Sequence, residues 1–205
     1  MTPILKIFLP FFLLFLCASC NNATSKKTTE TSKVENVVQI KNDYKSGKWL
    51  EDLPLKTPLT FNELEELLPK SLLGKRLVKV IDDTKNARSA IRGQYSSDKE
   101  PTKESEVITF YMMDGAGDAG YKGLKSVFNM LKLPANKDDG TKILKITDWE
   151  NKRLLVRQDL LKETWTSDLE FIKNFRFHFK IQGKNLKLDT IREIASKAEQ
   201  LSMPD

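Results

Sequence analysis

The stretch Asp114-Gly115-Ala116-Gly117-Asp118-Ala119-Gly120 gathers the densest set of groups able to do chemistry. Glycines let backbone N–H groups approach an anion at a helix N-terminus. Two carboxylates four residues apart suit a hard cation, or acid–base work. The stretch lacks the Lys-Ser/Thr ending of a phosphate loop and the spacing of an EF-hand. Its plainest reading is a strand-to-helix turn, with glycines at special dihedrals and Asp118 capping the helix. The second candidate is His178, the single histidine of the chain, set between Arg176 and Lys180. On a strand these three share one face, and the flanking cations depress the imidazole pKa. With Arg157 and Lys145 they would make a basic sheet face for an acidic glycan, a lipid headgroup or a protein, where solvated charge is the ordinary expectation. Trp165, in the polar run Lys162 to Ser167, is the aromatic best placed for an exposed partner contact.

Other chemistries are excluded by count. The only cysteines are Cys17 and Cys20, so the rest of the chain has no disulfide, no thiolate metal site and no cysteine nucleophile. One histidine without a thiol cannot build the usual zinc sets. We expect no metal, no cofactor and no enzyme. The set proposed for ligand or partner contact is Asp114, Gly115, Gly117, Asp118, Trp165, Arg176, His178 and Lys180. The alternative is an envelope enzyme that uses the Asp114 and Asp118 carboxylates.

The N-terminus sets the location. Ile7 to Leu16 is apolar throughout, follows a lone Lys6, and exits through Cys17-Ala18-Ser19-Cys20. A helix spanning a bilayer core needs about 20 apolar residues, and this run is too short, so it reads as a secretory signal. Ala18-Ser19-Cys20 resembles the lipobox of bacterial lipoprotein signal peptides, with Cys17 where the pattern usually has Leu. The resemblance implies cleavage after Ser19 and acylation of Cys20. Asn21 after the cysteine, in place of Asp, implies sorting to the outer membrane, facing the periplasm. Stable anchoring requires the several acyl chains of a mature lipoprotein. Loss of Lys6 with the signal lowers the formal charge from +6 to +5. The positive charges are scattered, and no nucleic-acid partner is expected in the envelope. The partners expected are the membrane, through Cys20, and an envelope protein or anionic envelope component.

Residues 1–19 are therefore the signal, 20–48 an acylated tether and 49–205 one folded domain. The tether is rich in Lys, Thr, Ser and Asn and too poor in large apolar residues to order itself, although Val34 to Ile40 has the pattern of a short docking strand. Within the domain, Thr60 and Glu63 form a capping box, with Leu59 and Leu64 as a hydrophobic staple. Strands are predicted at Lys75–Ile81, Ala87–Ser96 and Glu106–Asp114. The last is apolar on both alternating faces, so it is a central strand covered on each side. Tyr121, Leu124, Val127, Phe128 and Leu131 mark a helix after the glycine loop. Hairpins follow at 141–149 with 152–159 and at 168–172 with 175–181, with Phe175, Phe177, Phe179 and Ile181 expected on one face. A last helix carries the stripe Ile191, Ile194, Ala195, Ala198 and Leu201, with Thr190 and Glu193 read as its capping box.

This order is α+β, a mostly antiparallel sheet of about six strands with helices packed on it. Over residues 59–202 it looks like the PsbP-like sandwich family, which implies an assembly or binding role.

Overall fold

A computed structural model describes residues 45–204, apart from 85–87, 150–151, 162 and 164. The signal, Cys20, almost all of the tether, the Val34–Ile40 strand and the tips of two predicted turns lie outside the described residues. From residue 47 on, the described residues include the α-helices α1 (Phe61–Glu66), α2 (Gly117–Lys132) and α3 (Leu188–Glu199). The strands are β1 (Ser71–Leu72), β2 (Lys75–Asp82), β3 (Ala90–Ser96), β4 (Val107–Asp114), β5 (Asn136–Asp138), β6 (Lys142–Trp149), β7 (Lys152–Asp159), β8 (Thr166–Lys173) and β9 (Phe177–Lys184). They form one sheet in the order β1-β2-β3-β4-β9-β8-β7-β6-β5, with every neighbouring pair antiparallel. The α+β class holds, and nine strands replace the expected six or so. The extra ones include β1 and β5, edge pieces of two and three residues, too short to show a period in the sequence.

The doubly apolar β4 does lie inside the sheet, between β3 and β9. Alternation along it feeds two cores. Ile108, Phe110 and Met112 join Ile91, Tyr95, Leu169, Phe171, Phe177, Phe179 and Ile181 under α1 and α3. On the other face, Met113 joins Ala90, Leu155 and Ile172 under α2, sealed by Leu50 and Leu53 from two 3₁₀ turns, Lys48–Leu50 and Leu53–Leu55. Each strand thus spends its odd and even residues on different layers. Among the described residues, no helix is long and apolar enough to cross a membrane.

The capping box of α1 is formed as expected. Thr60 Oγ1 accepts from the Glu63 N–H at 3.3 Å, and Glu63 Oε2 accepts from the Thr60 N–H at 2.7 Å. The box read at Thr190 and Glu193 is not formed. α3 begins two residues earlier than Thr190, its N-cap is Lys187, and no side chain caps it. Its other end is held instead. The Nζ of Lys173, a buried lysine on β8, donates to the carbonyls of Ala198, Glu199 and Leu201. That is the placement a helix C-terminus favours, a cation on its last free carbonyls.

Candidate functional site: a cationic cleft beside helix α2

The glycine loop has a structural job. Asp114 is fully buried, and both its oxygens face Arg176, with Nε to Oδ1 and Nη2 to Oδ2 each 2.8 Å. The same carboxylate accepts the N–H groups of Leu59 and Ala116, each at 2.9 Å. Arg176 also donates to the Thr57 carbonyl, at 3.1 Å. This cluster ties the segment before α1, the end of β4 and the β8–β9 turn to the start of α2. The hydrogen bonds that Arg176 donates to Asp114, more than the charge of Asp114, hold the Arg176 pKa above the ordinary arginine value. The glycines at 115 and 120 permit close backbone packing. A Cβ on Gly120 would stand 2.6 Å from the Asp114 carbonyl oxygen, and one on Gly115 2.6 Å from that of Arg176. Asp118 is not the cap. It sits exposed in the first turn of α2, whose N-cap, Ala116, has no side-chain bond. An acidic residue there suits the helix dipole.

The β8–β9 turn corrects a second expectation. Asn174 and Phe175 both adopt left-handed φ, 48° and 54°, and the Arg176 N–H returns to the Lys173 carbonyl at 3.1 Å. The turn breaks the alternation before the ladder resumes at Phe177. Phe175 therefore packs on Trp49, ring centroids 5.5 Å apart, in the α2 layer, while Phe177, Phe179 and Ile181 enter the α3 layer. Arg176 leaves the line of His178 and Lys180 for Asp114. His178 and Arg176 are both buried, so the face read as solvated charge is interior at this end.

What His178 and Lys180 line is a cleft. The α2 layer covers only part of its face of the sheet. Beyond it, β3, β4, β9 and β8 leave a cavity of about 480 Å³, walled on one side by Gly123, Ser126 and Val127 of α2. Its floor is a register-aligned row, Arg92 beside Tyr111, Tyr111 beside Lys180 and Lys180 beside Glu170. One strand-step pair towards α2 lie Met113 and His178, and one pair away lie Thr109 and Gln182. Arg88 completes the rim.

Charge in the cleft is organised around Glu170, which is 5% exposed. Arg157 Nη2 is in direct contact with it, His178 Nε2 is at 3.3 Å and Lys180 Nζ at 3.5 Å. Burial first, then the charges of Lys180 and Arg157, lowers the His178 pKa to about 3, so the imidazole is neutral at physiological pH. The direction is the one expected from its flanking cation, but burial dominates. Burial likewise lowers Lys180 and raises Tyr111 from their ordinary values. Arg92 is paired with Asp83 at 2.6 Å, which leaves its guanidinium partly exposed at the cleft. At the border, Arg157 Nε is 3.9 Å from Asp168 Oδ2, too far for a hydrogen bond, and Nε and Asp168 Oδ1 are buried without a partner. Such orphans are uncommon in native interiors.

The cleft thus takes His178 and Lys180 from the residues proposed for contact. Asp114, Gly115 and Arg176 are committed to buried packing. Gly117, Asp118 and the half-buried Trp165 do not line it. Of the two further basic residues, Arg157 stands at its edge, and Lys145 is away on β6, paired with Asp138 at 2.6 Å. Arg88, Arg92, Thr109, Tyr111, Glu170 and Gln182 were not read as one site. The register explains part of the miss: a hairpin centred on Lys173-Asn174 would set Glu170 opposite Phe177, whereas the longer turn sets Glu170 opposite Lys180 and Asp168 opposite Gln182.

A second, wider cavity of about 800 Å³ lies over β5 to β8. Two of its four acids, Asp138 and Asp139, are already engaged. Asp138 pairs with Lys145, and Asp139 accepts from Thr141 and from the Lys142 N–H, which with its other bonds brings its pKa down to about 2. Among the described residues, no group of three or more His, Cys, Asp or Glu is placed to hold a metal ion. Compared with family models, curated proteins and solved structures, the chain finds no match, so its function has to be read from the cleft.

Proposed function

We propose that the chain is a lipoprotein of the bacterial envelope, anchored through Cys20, whose domain binds a small anionic envelope component in the cleft beside α2. The outer membrane, facing the periplasm, is the location implied by Asn21. One observation carries the binding reading: three cations, Arg88, Arg92 and Lys180, line the cavity; Glu170, the one carboxylate among its described lining residues, is shared by Arg157, His178 and Lys180, and Arg92 is paired from outside the lining by Asp83. The volume falls within the roughly 300–1,000 Å³ of small-molecule sites. Binding without catalysis is favoured because the cleft presents no activated nucleophile. His178 is neutral and beside Glu170, and among the described residues no basic side chain is hydrogen-bonded to the hydroxyls of Thr109 and Ser126.

His178 is the only histidine, so its ring resonances report on the cleft alone. Titration of the full chain with sodium acetate and sodium phosphate should shift them saturably, and Lys180→Gln should weaken the response about tenfold. An unshifted ring with both anions would end the reading. Anchoring is tested separately. Cys20→Ser should abolish incorporation of labelled fatty acid and release the protein from the membrane fraction.

A further inference from the structure

The cleft floor changes character along the strands. Met113 lies beside His178, Tyr111 beside Lys180 and Thr109 beside Gln182, and successive pairs on one face are about 7 Å apart. An apolar corner, a cation and a pair of neutral hydrogen-bonding groups thus follow one another within one cavity. Thr109 and Gln182 carry groups that both donate and accept, and Ser126 on the α2 wall adds another. The Tyr111 ring is oriented by His178, in an edge contact with centroids 5.6 Å apart. A long-chain amphiphile needs continuous apolar lining, which Met113 and Val127 do not supply. A bare inorganic anion would engage the cations and leave Thr109, Gln182 and Ser126 facing water.

We infer that the cleft takes an acidic saccharide of the hexuronic acid class, its carboxylate at Lys180 and Arg92, its hydroxyls on Thr109, Gln182 and Ser126, and a C–H face of the ring against Tyr111. The inference rests on the anion-binding reading above and names the substrate class of that same site. Neutral hydroxyl and amide groups reject a ligand lacking their partners, because they would be desolvated unpaired. Lys180 and Arg92 favour an acidic sugar over a neutral one by charge. Both elements are needed for an acidic sugar, and each lies within one strand-step pair of the other.

The test uses the full chain and the His178 ring resonances, titrated with sodium D-glucuronate, D-glucose and sodium acetate. Glucuronate should bind at least about tenfold tighter than either other probe, a difference of about 1.4 kcal/mol. The double variant Thr109→Val, Gln182→Leu should bring glucuronate down to the acetate level and leave acetate binding unchanged. Lys180→Gln should remove the preference for glucuronate over glucose. Methyl β-D-glucuronide separates two sources: undiminished binding assigns the site to the end of an acidic polysaccharide, and lost binding to the free sugar, with glucuronate binding supporting the inference in either case. Acetate binding as tightly as glucuronate would overturn the saccharide and keep the anion site. No response to glucuronate or acetate would overturn both. Thermal melts of each variant check that the fold is intact.

Discussion

The two faces of this sheet are built from the same strands and have different fates. Under α1 and α3, Phe110, Phe171, Phe179 and Ile181 interlock with no exposure. Phe179 meets Phe110 and Phe171 at centroid distances of 5.4 and 5.5 Å. Under α2, the apolar layer covers one end of the sheet and stops, and the remaining floor carries Arg92, Tyr111, Lys180 and Glu170. A strand can serve both because adjacent residues point to opposite layers. Stability is concentrated on one side, so the other is free to keep polar groups that packing alone would not select.

Neighbouring residues of β9 give the sharpest way to break this contrast. Phe179→Ala should cost about 3–5 kcal/mol, through lost burial and the cavity left behind. Gln182→Ala, across the sheet and at the rim, should stay within about 0.5 kcal/mol. Urea unfolding of the two variants measures the difference, and similar costs would mean that the cleft face is as tightly packed as the core. A comparable loss is expected for Arg176→Leu, about 3–5 kcal/mol, because it strands the buried Asp114 carboxylate. Here unfolding midpoints should fall while anion binding in surviving folded protein is retained. The Lys173→Met variant removes three carbonyl partners from the end of α3. It should cost about 1–3 kcal/mol, with early loss of amide protection in α3.

The cleft face supplies a pH effect. The folded His178 pKa, about 3, lies below the ordinary 6.5. The unfolded chain therefore binds the proton first, and the stability from a neutral imidazole is complete above about pH 6.5 and lost as pH falls toward 3. At pH 5.5 the wild type should have lost about 1.4 kcal/mol on this account. His178→Gln should flatten that part of the profile, as read from urea midpoints at pH 7.5 and 5.5. An unchanged slope would place the imidazole in contact with water.

Much of the architecture was legible because local rules fix it. The Thr60–Glu63 box, the β4 run apolar on both faces and the α3 stripe each rest on spacings within one element. The failures share a cause as well. Thr190 and Glu193 satisfy the spacing of a capping box, but α3 starts where Leu186, Leu188 and Ile191 reach the sheet core, and packing overrides the local signal. Phe175 was assigned by alternation across a turn whose two left-handed residues end the alternation. Two aspartates in a glycine loop read as chemistry, whereas one of them is the internal counter-charge of an arginine 62 residues away.

By itself the sequence determined the order of the longer elements, the α+β class, the apolar side of β9 from Phe177 on, and that no cysteine follows Cys20. Those follow from period, composition and count, which are properties of the chain alone. Only the tertiary structure decided that β9 lies between β4 and β8, and so that Arg92, Tyr111, Lys180 and Glu170 stand in one row. Alternation states which face a side chain takes, never which strand stands beside it. A lysine or histidine on a polar face has the same pattern whether that face meets bulk water or the floor of a cleft.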